Sequence, residues 1–321
     1  MTSSDNQEPT TAESGLEGRV GLALGSGGAK GWAHIGVIRA LEEAGIHPAI
    51  VCGTSMGGVV GAAYAAGELE ALEQWVLGLE MRRIMTFFDL SLRGGVIKAR
   101  RLFEFFESVL PDRDFESLDM PCAVVATDLS DGREVWLREG NLLDALRATI
   151  ALPGLITPAA RDGRWLVDGG LVNPVPVSLC RSLGADSVIA VDLNTTLLGR
   201  RLTGETSETS ARIVPQAIGA RFDTLLRDLA ADMRERLGRE PAEVRDETPS
   251  IYEVIANSVN IMQMRIGRSR MAGDPPELLV TPRMSDFGLL DFDRADEAIE
   301  VGRRAVAQAL QLGAPEAVEP V

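Results

Sequence analysis

Short apolar runs alternate along this chain with longer stretches in which apolar positions return every three to four residues. Val20-Gly21-Leu22-Ala23-Leu24, Ala49-Ile50-Val51-Cys52, residues 122–127 and 134–138, Arg164-Trp165-Leu166-Val167, and residues 187–192 and 277–281 read as strands. Trp32 to Ala44 and the small-residue run Gly58 to Gly67 read as helices. So do residues 294–311 and Ile251 to Arg270, the latter with Ile255, Val259, Met262 and Ile266 on one face. Asp131-Gly132 and Asp162-Gly163 look like hairpin turns between short strands. Helical patterns lie between many of the strands, so the class is α/β, with a central mixed sheet flanked by helices. There is no internal repeat.

Two segments depart from this rhythm. Residues 195–250 carry Arg200-Arg201 and many other charges, with Ile218, Phe222, Leu225, Leu226, Leu229, Met233 and Leu237 at helical spacing. They read as a charged, partly helical insertion, serving as a lid, as a self-association element or as plain surface. Residues 1–18, rich in Ser, Thr and Glu, read as a disordered tail without the basic start and apolar centre of a signal peptide. The remainder, 19–315, reads as one domain ending in a loose terminus at 316–321.

Candidate chemistry begins at Ser55, the centre of Gly53-Thr54-Ser55-Met56-Gly57. A strand precedes it and a helix follows, and a serine on such a sharp turn is pushed out of the sheet with its hydroxyl exposed. A Cβ at Gly53 or Gly57 would crowd that turn against neighbouring backbone. Upstream, the first strand runs into Gly25-Ser26-Gly27-Gly28-Ala29-Lys30-Gly31. Four glycines in seven residues let backbone N–H groups converge at a helix start, which suits an anion, either a phosphate or a developing oxyanion. No Gly-Lys-Ser/Thr follows as a P-loop requires, and the stretch where a dinucleotide fold places its ribose-binding acid holds the serine turn instead. An oxyanion hole is the better reading.

Downstream, a strand ends in Asp168-Gly169-Gly170. Unlike the other Asp-Gly pairs it has no obvious second strand after it, so it presents a carboxylate. The chain has only two histidines, His34 and His47, and both precede Ser55, which rules out the serine–acid–histidine order of α/β-hydrolases. His34 reads as a helix-packing residue and His47 as an exposed one. The simpler machine is a pair, Ser55 activated by Asp168, in a dry pocket that makes the carboxylate more basic.

At these segments the chain resembles the patatin-like phospholipases, and more narrowly their bacterial RssA-type branch, relatives of the catalytic domain of neuropathy target esterase. Residues 125–129, 148–154, 183–186 and 270–276 also match, so the resemblance covers roughly residues 18–315. It implies a patatin-like three-layer fold and a serine esterase or lipid acyl hydrolase of phospholipase A or lysophospholipase type, with no cofactor and no metal. Ser55 is then the nucleophile and Asp168 the base. Gly27, Gly28 and Ala29, with Met56, form the oxyanion hole. Gly25, Lys30, Gly31, Gly53, Gly57, Gly169 and Gly170 support the motifs, with Lys30 solvated. The alternative is a non-catalytic regulatory or adaptor protein on the same fold, and a third reading makes the loop at 25–31 a nucleotide site.

Composition narrows the partners. A formal net charge of −15 argues against nucleic acid and against strong attraction to anionic membranes. No apolar run approaches the ~20 residues of a membrane span. A lipid or acyl ester is the expected substrate and the cytoplasm the expected location, with transient contact at the inner membrane surface as a variant. The basis for that variant is Trp75 to Val109, which mixes Arg82, Arg83, Arg93, Lys98, Arg100 and Arg101 with five phenylalanines. The plainer reading is two amphipathic helices over the sheet. Under both, this segment is the candidate lid and acyl-pocket wall. Cys52, Cys122 and Cys180 fall in apolar segments and read as reduced core thiols.

Overall fold

The computed structural model describes residues 15–79, 100–109, 113–153, 155–194 and 251–313. The expectations for the insertion at 195–250, for residues 80–99 and for the outer parts of both termini lie outside the described residues. Leu16 is buried in the core, and the Glu17 backbone exchanges hydrogen bonds with Ser187, its N–H donating to the Oγ at 2.8 Å.

Five parallel strands form the centre of the sheet: β1 (Val20–Leu24), β2 (Ile50–Thr54), β3 (Cys122–Asp128), β7 (Ser187–Val191) and β8 (Leu278–Val280), in the order β3-β2-β1-β7-β8. Three shorter strands run antiparallel pairings at one end: β4 (Glu134–Leu137), β5 (Ala159–Arg161) and β6 (Arg164–Asp168). β5 is the partner that the Asp162-Gly163 turn implies. Asp162 and Gly163 both take positive φ, 51° and 74°, as a two-residue hairpin with the strand twist requires.

Both faces of the sheet are covered, which explains the near-continuous apolar strands. Leu22 and Leu24 of β1 point into the larger core, under α1 (Ala33–Glu43), α2 (Met56–Ala65), α3 (Leu69–Leu77), α4 (Arg100–Val109), α5 (Leu142–Thr149) and α8 (Ala295–Gly313). Ala23, Cys52, Ala123, Val125, Val188 and Ala190 point to the other face, under α6 (Val177–Ser182) and α7 (Ile251–Gly273). All three cysteines are free and buried. Among the described residues no helix is long and apolar enough to cross a membrane.

One expectation is corrected here. Met262 does not share the inward face of α7; it is 47% exposed, and the buried positions are Val259, Gln263, Met264 and Gly267. Beside Val259 the inward place goes to Gln263, a polar residue that finds a hydrogen-bond partner there, Ser26 Oγ at 3.0 Å.

Register at β3 sets up the site. β2 pairs with its first half, Thr54 standing opposite Val125. β6 pairs antiparallel with its end, Asp168 standing opposite Ala126. β4 spans Val124 to Thr127, overlapping both, and so takes the other edge. β2 and β6 therefore lie end to end along one edge of β3, and their C-terminal ends meet head on.

Candidate active site

That meeting brings Ser55, the first residue after β2, against Asp168, the last of β6. Ser55 Oγ donates to Asp168 Oδ2 at 2.7 Å. Ser55 holds φ 56°, ψ −126°, a conformation rare for a residue with a Cβ. Its surroundings impose it. The Ser55 N–H donates to Thr149 Oγ1 at 2.9 Å, while the Thr149 hydroxyl donates to the Val125 carbonyl at 2.6 Å. Gly57 passes so close to β1 that a Cβ would overlap the Leu24 carbonyl oxygen, and one at Gly53 would strike the Gly57 and Gly58 backbone. Ser55 also stands just ahead of α2, so the free N–H groups of that helix start, Met56 first, lie beside it.

Asp168 is 1% exposed and fully constrained. Its second carboxylate oxygen accepts from the Gly170 N–H at 2.7 Å, its own N–H donates to the Ala151 carbonyl at 3.0 Å, and its carbonyl accepts from Thr127 Oγ1 at 2.8 Å. Gly169 packs on Val125, leaving no room for a Cβ. Burial raises the pKa of the Asp168 carboxyl from 3.8 to about 6, against the opposing hydrogen bonds from Ser55 and Gly170. Asn173 and Pro174 hold the following loop. The Asn173 carbonyl accepts from Thr54 Oγ1 at 2.8 Å and the Pro174 carbonyl from the Ser26 N–H at 2.8 Å.

The glycine loop follows β1 and enters a 3-10 turn at Gly28–Trp32. Gly28 takes φ 57° and abuts Leu289, so only glycine fits. The N–H groups of Gly27 and Gly28 take no hydrogen-bond partner among the described residues. Two expectations are corrected. Ala29 is not a free donor, because its N–H is spent on the Leu289 carbonyl at 2.9 Å. Lys30 is not solvated; it is 7% exposed, and its charge, with that of Arg268, offsets the burial that raises the pKa of Asp192. Gly25 and Gly31 sit at close approaches, to the Val191 carbonyl and to Met56.

Ser55, Asp168, Gly28 and Met56 border one cavity of about 670 Å³, its open mouth included. The rest of its wall is apolar: Trp32, Trp75, Leu79, Ile150, Leu152, Leu155, Ile156, Leu289, Leu290 and Phe292. Trp75 and Leu79 come from the start of the expected pocket-wall segment. Trp32 Nε1 donates to the Phe292 carbonyl at 3.3 Å, and the two rings meet edge to face.

His34 does not approach the pair as a base. It is wholly buried, its Nε2–H donates to the Gly25 carbonyl at 2.7 Å, and burial lowers its pKa to about 4. His47 is exposed. Among the described residues no group of three or more His, Cys, Asp or Glu could hold a metal ion. Sequence reasoning missed Thr149, Leu289 and Gln263 as parts of the site. Thr149 closes an amphipathic helix, Leu289 acts through its carbonyl, and Gln263 sits 237 residues from its partner Ser26, so periodicity carried no signal for any of them.

A sheet that delivers a serine and a buried carboxylate to one apolar cavity fits a class that comparison with known proteins makes definite, the lipid ester hydrolases. The patatin-like phospholipase family matches residues 22–181, a stretch containing Ser55 and Asp168. An uncharacterized NTE family protein of Mycobacterium tuberculosis is 36% identical over 330 residues, covering 91% of this chain and 91% of that protein. The lysophospholipase NTE1 of Pyricularia oryzae is 32% identical over 318 residues, which is 94% of this chain but 19% of the relative. Patatin-like phospholipase domain-containing protein 6 of Mus musculus is 35% identical over 185 residues, 54% of this chain and 13% of the relative. The chain belongs to the patatin-like phospholipases, within the NTE family. Among solved structures, VipD from Legionella pneumophila covers 93% of this chain and 67% of its own at 13% identity and a TM-score of 0.44, too distant to bear on the site.

Proposed function

We propose that this protein is a serine lipid acyl hydrolase that cleaves single-chain acyl esters, lysophospholipids foremost, through a Ser55–Asp168 dyad and an acyl-enzyme. The observation that carries it is the 2.7 Å bond from Ser55 Oγ to Asp168 Oδ2 beside an apolar cavity. An acyl chain lies along Trp32, Leu155 and Phe292, with its carbonyl over Ser55. Ser55 Oγ attacks the carbonyl carbon as its proton passes to Asp168, and the C=O electron pair moves onto the oxygen. That oxygen accepts from the N–H groups of Gly27 and Gly28 and of Met56. The tetrahedral adduct collapses, the ester C–O bond breaks, and the alcohol leaves with the proton from Asp168. Water, deprotonated by Asp168, then attacks the acyl-enzyme and frees the fatty acid and Ser55. A carboxyl pKa near 6 supports the base role, since an ordinary aspartate is too weak an acceptor. The lysophospholipid preference rests on the name of the Pyricularia relative and on the apolar cavity that meets Ser55.

Incubation with mixed phospholipids and lysophospholipids, followed by mass spectrometry of fatty acids and polar products, tests both parts. Fatty acid release by the wild type and none by Ser55→Ala is expected. Full activity of Ser55→Ala would remove the serine mechanism, and release from diacyl lipids alone would remove the single-chain preference.

A further inference from the structure

The dyad and the glycine loop arrive on different strands, so something must hold their spacing. The long helix α7 does so from behind the sheet. Gln263 is 5% exposed and Ser26 is 2% exposed, and the Ser26 hydroxyl donates to Gln263 Oε1 at 3.0 Å. The amide end, Nε2, lies directly on Gly170, where a Cβ would collide with it. Gly170 is the residue whose N–H holds Asp168 Oδ1. At the other end, Ser26 lies between Gly25 and Gly27, with Gly27 offering an N–H to the oxyanion. Three further contacts fasten Ser26: its N–H donates to the Pro174 carbonyl, and Asn194 Nδ2 donates to its carbonyl at 3.1 Å and to its Oγ at 3.4 Å. One side chain thus touches the residue ahead of the oxyanion donors and the residue that orients the base.

We propose that Gln263 is a positioning residue that sets the glycine loop against the Asp168 loop, so that oxyanion donors and dyad converge on one substrate carbonyl. This rests on the hydrolase reading above. Gln263 touches no reacting atom. Its loss lets Ser26 and the following Gly27 and Gly28 drift relative to Ser55, and a misplacement of about 1 Å is enough to slow a reaction about 100-fold. Substrate binding depends on the apolar cavity, to which neither Gln263 nor Ser26 contributes.

The test uses Gln263→Met, which keeps the length, Ser26→Ala, which removes the other end of the same bond, and the double variant. Each is assayed for kcat and KM on a p-nitrophenyl acyl ester, for labelling rate by a fluorophosphonate, and for thermal melting. The expected result is a fall in kcat and in labelling rate of about 10- to 100-fold with KM within about twofold. The double variant should be no slower than the slower single one, because both remove one link. Single variants within about twofold of wild-type kcat would overturn the proposal, as would losses that multiply in the double variant. If Gln263→Met does not melt cooperatively, Ser26→Ala alone decides. Ser55→Ala is run alongside: if it is inactive and the other variants are unaffected, the positioning role fails while the hydrolase stands. If Ser55→Ala keeps the activity, the hydrolase reading falls and the positioning role with it.

Discussion

Asp168→Asn should make the protein inactive and more stable. The wild type holds a carboxylate in a site that burial makes hostile to charge, and raises its pKa from 3.8 to about 6. Above that value the folded protein still carries the anion, at a cost of about 1.4 kcal/mol per pH unit of the rise, or about 3 kcal/mol in all. The sign follows from proton counting. Between the two pKa values the folded state binds more protons than the unfolded chain, so wild-type stability falls as pH climbs from about 4 to about 6 and is level beyond. An asparagine has the same shape, accepts from the Gly170 N–H and meets the Ser55 hydroxyl, but carries no charge. Its advantage over the wild type should grow from under about 1 kcal/mol at pH ~4 to about 3 kcal/mol above pH ~7. Urea unfolding of both proteins across that range measures it, with ester hydrolysis recorded on the same samples. A difference independent of pH, or an asparagine variant less stable than wild type at neutral pH, would refute the reasoning. Stability gained by removing the proposed base is the expected exchange at such a site.

Three further outcomes follow. The pH profile of kcat/KM should rise with a midpoint of about 6 and then level, as Asp168 loses its proton, and His34→Gln should leave that midpoint in place. Thr149→Val leaves the buried Ser55 N–H without its acceptor, which should cost about 1–3 kcal/mol in denaturant unfolding and lower turnover as the serine turn relaxes. Leu155→Trp fills part of the cavity, so activity across a series of p-nitrophenyl esters should shift toward shorter acyl chains with little change on the shortest.

The chemical parts were legible in the chain because each is local. A strand, a Gly-x-Ser-x-Gly turn and a helix occupy adjacent residues, and Gly53 and Gly57 mark backbone crowding that only glycine tolerates. The same holds for the glycine loop after β1 and for Asp168-Gly169-Gly170, and apolar runs predicted every strand except β5, itself implied by its turn. What the pattern could not state is which donors are already spent. Ala29 has the look of its neighbours, yet the Leu289 carbonyl, far along the chain, takes its N–H. Lys30 reads as a surface cation, yet it is buried, where its charge acts on Asp192. Helical spacing put Met262 inward, but the inward place beside Val259 goes to Gln263, which finds Ser26 as a partner.

By itself the sequence determined the fold class and marked the candidate serine, the candidate carboxylate and the candidate oxyanion loop, since these depend on short-range backbone sterics. Only the tertiary structure decided that Ser55 and Asp168 touch. Two strands share one edge of β3 and meet at their ends, a matter of register across more than a hundred residues. It also decided that the carboxyl's pKa is raised, because desolvation is a property of everything packed around a group and of nothing within its own segment.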